Sequence, residues 1–79
     1  MGKEEMKRSN PTDDLSRTEV INLIEEWTIG NNAERDREIL KRRLIDGRSY
    51  YQLSEEFDLS LPQIKTILKK RQENLFKHI

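Results

Sequence analysis

From Ser60 to Arg71 the chain reads SLPQIKTILKKR, and its residue types suit recognition rather than covalent chemistry. If the run is helical with Ile64 and Ile67 facing a core, then Leu61, Pro62, Lys65, Thr66 and Lys69 share the opposite side. Lys65 has the reach and charge for a guanine edge. Thr66 can donate to a base or meet a thymine methyl, and Leu61 can meet such a methyl as well. Ser60 and Gln63 suit a phosphate or a neighbouring base. Lys69, Lys70 and Arg71 lie further along, where cations neutralise phosphate. An ordinary solvated helix surface is the competing reading of these lysines.

The elements that must position this face are written into the preceding residues, SYYQLSEEFDLSLPQIKTILK from Ser49 to Lys69. Leu53 and Phe57 share one side of a first short helix, Ile64 and Ile67 one side of a second, and Leu59 sits in the turn between. Ser54 is small enough to let the second helix approach. Ser49 followed by Gln52 has capping-box spacing. Ser60 suits an N-cap, with Pro62 in the first turn, where its missing N–H costs little. Asp58 occupies the turn position that often needs a left-handed backbone, which Asp tolerates better than most residues. The pattern is that of a helix-turn-helix, whose second helix lies in the major groove of duplex DNA.

From about Ala33 to Leu75 the chain resembles region four of bacterial sigma factors. The run ERDREILKRRLIDGRSYYQLSEEFDLSLPQIKTILKKRQENL carries the likeness. A helix ending in IDG, the SYYQLSEEF helix, the DLS turn and the QIK-containing helix follow in that family's order. The chain departs from it at Ser54, where Ala is usual, at Asp58, where Gly is common, and at Leu61-Pro62, where polar base-reading residues are frequent. The resemblance implies a bacterial or phage domain that binds promoter DNA and regulates transcription. It also implies RNA polymerase as a second partner. A protein-binding adaptor that uses the helix-turn-helix as a scaffold is the alternative function.

Seventy-nine residues allow one small domain, and 33% hydrophobic against 38% charged residues means a thin core. With no Cys and a single His, a disulfide framework and a catalytic metal site are not expected, nor is a cofactor. No Ser/His/Asp set, paired carboxylates or Gly-rich phosphate loop suggests an enzyme. No apolar run is long enough to span a bilayer, and Met6 stands where a myristoylation site needs Ser or Thr, so a cytoplasmic chain is expected. Fifteen basic and fifteen acidic residues cancel, which is unusual for a nucleic-acid binder. Their distribution is uneven, however. Beyond Ser60 stand Lys65, Lys69, Lys70, Arg71 and Lys77, against Glu73 alone.

Residues 1–15 read as a flexible arm, with a minor-groove role for Lys7-Arg8 as the alternative, and residues 16–79 as the domain. Ser16 and Glu19 form a capping box ahead of a helix carrying Val20, Ile21, Leu23, Ile24 and Trp27, which Gly30-Asn31 ends; Trp27 is expected in the core. Asn31 or Asn32 should cap a second helix reaching about Asp46, with Gly47 as its C-cap and Ala33, Ile39, Leu40, Leu44 and Ile45 inward. Glu38 and Arg42 have ion-pair spacing. Lys41, Arg42, Arg43 and Arg48 form a cluster that either touches phosphates or stays solvated. Ser49 and Tyr51 join Arg43, Arg48 and Arg71 as phosphate-contact candidates, with Tyr50 facing inward and Tyr51 outward. Leu68, Leu75 and Ile79 extend the last helix, and His78 is expected to complement its dipole. The whole reads as an all-α, four-helix domain with a C-terminal helix-turn-helix, and both monomer and homodimer stay open.

Overall fold

Three of the four helices start on a serine whose hydroxyl takes the place of a missing helical carbonyl. The structure, a computed structural model describing residues 15–78, has α1 (Arg17–Trp27), α2 (Ala33–Leu44), α3 (Tyr50–Phe57) and α4 (Leu61–Phe76). The expected arm lies outside the described residues except for Leu15, as does Ile79. Ser16 Oγ accepts from the Glu19 N–H (3.2 Å), while Glu19 Oε1 accepts from the Ser16 N–H (2.8 Å). Ser49 with Gln52 and Ser60 with Gln63 repeat this reciprocal arrangement at α3 and α4. Each box satisfies two backbone groups that a bare helix start would leave open.

The start of α2 is built differently. Asn32 precedes it in the left-handed region (φ 62°), and its side chain makes no capping bond. A side-chain N-cap needs extended backbone, so the expected amide cap is replaced by main-chain turns: Ala33 N–H donates to the Gly30 carbonyl and Asp36 N–H to that of Asn32. The helix stops at Leu44, two residues short of the expected end. Gly47 (φ 71°) then turns the chain so that Arg48 N–H reaches the Arg42 carbonyl at 3.0 Å.

The core draws on all four helices. Val20 and Ile24 from α1, Ile39 and Leu40 from α2, Leu53 from α3, and Ile64, Leu68 and Leu75 from α4 are buried together. Phe57, Ile67, Leu59, Leu44, Ile45 and Tyr50 pack around them half-buried, and Phe76, which the sequence reading did not place, joins them. Helix α4 touches each of the other three. Trp27 differs from expectation: it is half-buried at the margin of the core, its ring stacked on His78 at 3.6 Å with planes 2° apart. The cause is local. Asn74 Nδ2 donates to the Trp27 carbonyl at 3.0 Å, tying the end of α1 to the end of α4 and bringing the imidazole alongside. His78 is therefore a stacking partner in this fold.

The turn between α3 and α4 is held by its own residues. Asp58 adopts φ 56°, ψ 45°. Leu59 N–H donates to the Ser54 carbonyl (3.0 Å), and Ser54 Oγ donates to the Leu59 carbonyl (2.6 Å). Ser54 thus does more than leave space: its hydroxyl latches the turn. Left-handed backbone costs an ordinary L-residue about 1 kcal/mol. Asp58→Ala should lower the midpoint of thermal unfolding, followed by circular dichroism, by about 5 °C, whereas Asp58→Gly should not lower it.

Candidate functional site

On α4, Ile64 and Leu68 are fully buried and Ile67 half-buried, which turns Pro62, Gln63, Lys65, Thr66, Lys69 and Lys70 to solvent and leaves Leu61 half-buried beside them. The 3.6-residue period alone accounts for that division. The structure therefore brings the expected α4 residues onto one exposed surface. Lys65 and Lys70 make no ion pair among the described residues, whereas Lys69 Nζ lies 3.2 Å from Glu73 Oε2.

Two expected contacts at the start of α4 are already in use. Ser60 Oγ accepts from the Gln63 N–H (3.3 Å) and donates to Gln63 Oε1 (3.1 Å), which also accepts from the Ser60 N–H (2.9 Å). Gln63 keeps only its Nε2 hydrogens for another molecule. At α3 the Ser49 Oγ accepts from the Gln52 N–H (3.1 Å), which leaves its own O–H to donate. Tyr51 stands 63% exposed, and Tyr50 packs half-buried against the core, as expected.

Arg71 departs furthest from its expected role. Its Nε donates to Asp36 Oδ2 at 2.8 Å, and its terminal nitrogens donate to the carbonyls of Ile29 (2.9 Å) and Asn31 (3.1 Å). The guanidinium clasps the α1–α2 loop to α4 instead of standing free for phosphate. Asp36, only 4% exposed, accepts on its other oxygen from Arg35 Nε at 3.1 Å. Sequence reasoning missed both Asp36 and Arg35. A signal existed: Asp36 stands three and four residues before Ile39 and Leu40, and Arg71 three after Leu68 and four before Leu75. Each charge sits on the inward stripe of its helix.

Arg35 reaches the candidate surface from α2. With Asn32, Pro62, Gln63, Thr66 and Ile67 it lines a shallow cleft of about 440 Å³ along α4.

The basic cluster of α2 lies in a network across α1, α2 and α3. Lys41 Nζ is 2.7 Å from Glu25, Arg42 is 2.7 Å from Glu38 and also pairs with Glu56, and Arg48 is 3.1 Å from Glu56. Arg43 lies 4.6 Å over the Tyr50 ring and donates to the Arg48 carbonyl at 2.8 Å. These cations are spent on internal partners. The Lys41 hydrogen bond holds the Glu25 carboxyl below its ordinary range, and that from Arg42 does the same for Glu38. A lowered carboxylate pKa stabilises the fold above the unfolded-state value, and that contribution is lost as pH falls through the folded-state value. Thermal midpoints should therefore drop as pH is taken below the usual carboxylate range, and less so in Lys41→Met/Arg42→Met. Because both carboxylates are largely solvated, added salt should blunt the difference.

No family model matches the chain, and no curated protein or solved structure matches it either. Among the described residues no helix is long and apolar enough to cross a membrane, and no group of His, Cys, Asp or Glu is placed to hold a metal ion.

Proposed function

We propose that α3, the turn at 58–60 and α4 form a helix-turn-helix that binds duplex DNA, with α4 lying in the major groove. In this reading the chain regulates transcription as a domain similar to region four of sigma factors. The observation that carries it is how the cations are allotted. Lys41, Arg42 and Arg48 are tied to Glu25, Glu38 and Glu56, while Lys65 and Lys70 stand exposed on α4 with no ion pair among the described residues. A chain without net charge thereby keeps a basic face on one helix, which favours approach to a polyanion. The latched turn supports the same reading, because a groove-reading helix must be held rigidly by the element that precedes it. Arg35 and Asn32 line one cleft with Gln63 and Thr66, and in this reading they would lie beside a strand held against α4.

Fluorescence anisotropy of a labelled random-sequence duplex, titrated with the full chain across a salt series, tests this. The expected result is a log affinity that falls linearly with log salt, with a slope of about −0.9 for each phosphate neutralised. Absence of binding even at low salt would sink the DNA reading and turn the search to a protein partner, beginning with RNA polymerase.

A further inference from the structure

The base preference of the α4 surface follows from which hydrogen-bonding groups its residues have left to offer, and the inference rests on the DNA reading above. Between Leu59 and Gln72 the chain contains no acid. Lys65 and Lys70 are donors only, as every lysine is. Gln63 would ordinarily present an oxygen and an amide side by side, the pair that reads adenine. Its Oε1 instead takes hydrogen bonds from both the Ser60 N–H and the Ser60 hydroxyl, so only the Nε2 hydrogens are left to offer. Beyond this run Glu73 is drawn to Lys69. From Pro62 to Lys70, the Thr66 hydroxyl is the one exposed side-chain group among the described residues still free to accept. Leu61 and Pro62 add an apolar edge at the start of the helix.

In the major groove guanine presents acceptors at N7 and O6, and thymine an acceptor at O4 beside its methyl; adenine and cytosine place an amino donor at the matching position. A surface made of donors and a small apolar edge is satisfied by the first pair and leaves the amino groups of the second without a partner. We infer that α4 reads a strand of consecutive keto bases, guanine and thymine, with Gln63 Nε2 and Lys65 Nζ donating to O6 and O4 and Leu61 and Pro62 against thymine methyls.

Two labelled duplexes of equal length and base composition separate this from composition or charge effects. One carries a repeating GT strand paired with AC, the other a repeating GA strand paired with TC. In the first, the keto oxygens run unbroken along one strand; in the second, keto and amino groups alternate on both. The full chain should bind the GT·AC duplex at least about tenfold more tightly at fixed salt. Lys65→Gln, an exposed change that introduces an acceptor, should bring the ratio towards one. Replacing thymine by uracil in the GT strand should weaken binding severalfold. Equal affinity for both duplexes overturns the keto-base assignment and leaves DNA binding standing. A ratio unchanged in Lys65→Gln, or an affinity indifferent to the thymine methyl, removes this face as the reader. No binding to either duplex at low salt overturns both proposals.

Discussion

Replacing Asp36 by Ala is expected to destabilise the domain by about 3 kcal/mol, lowering its thermal midpoint by roughly 10–20 °C. The size of the effect comes from what is left behind. Asp36 is 4% exposed and accepts from Arg71 and Arg35 on separate oxygens. Without it, the Arg71 side chain, 20% exposed, keeps its hydrogen bonds to the Ile29 and Asn31 carbonyls but has no counter-charge. Arg35 is more exposed and can turn to water, so the loss falls mainly on Arg71. Removing one member of a buried pair is costly for this reason, whereas replacing both with apolar residues of similar volume is often close to neutral. Asp36→Leu/Arg71→Met should therefore recover much of what Asp36→Ala loses. Urea unfolding of the two variants and the parent decides the point. A double variant no more stable than Asp36→Ala would show that the two carbonyl bonds of Arg71, and not the ion pair, hold the α1–α2 loop against α4.

The second large effect concerns binding. Lys65→Ala/Lys70→Ala should weaken duplex binding and, through the phosphate contact of Lys70, flatten the dependence of log affinity on log salt by about one. The comparison that gives this meaning is Arg42→Ala/Arg48→Ala, which removes the same amount of positive charge from the molecule. Those two arginines already pair with Glu38 and Glu56, so their loss also uncovers acids on a surface separate from α4. It should leave the salt slope nearly unchanged. Equal flattening in both double variants would mean that net charge, not the α4 face, governs binding. Both lysines are exposed, so unfolding midpoints close to the parent's are expected and can be checked on the same samples.

The contrast between the α4 lysines and the cations around α2 shows why charge is hard to read from a linear sequence. Lys41, Arg42, Arg43 and Arg48 look like a phosphate-binding cluster as long as their acids are out of sight. Glu25 lies on α1 and Glu56 on α3, and only packing brings them to α2. Glu38 is different. It stands four residues from Arg42 on the same helix, and that pair was legible from spacing alone.

What the sequence determined by itself is the local and the periodic. Ser16–Glu19 and Ser49–Gln52 announced two helix starts, and helical apolar spacing placed Leu53, Ile64, Leu68 and Leu75 in the core and separated Tyr50 from Tyr51. These follow from interactions within one or two helical turns, where the chain's own geometry decides which groups meet. Tertiary structure alone decided the rest. Arg71 and Asp36 are thirty-five residues apart in sequence, Trp27 and His78 meet only because α1 and α4 end side by side, and Asn32 takes a left-handed turn where an amide cap was expected. The α4 surface belongs to both levels. Periodicity chose which residues face out, while the caps and ion pairs determined which of their donors and acceptors remain free, because a hydrogen bond already made inside the fold is not available to a ligand.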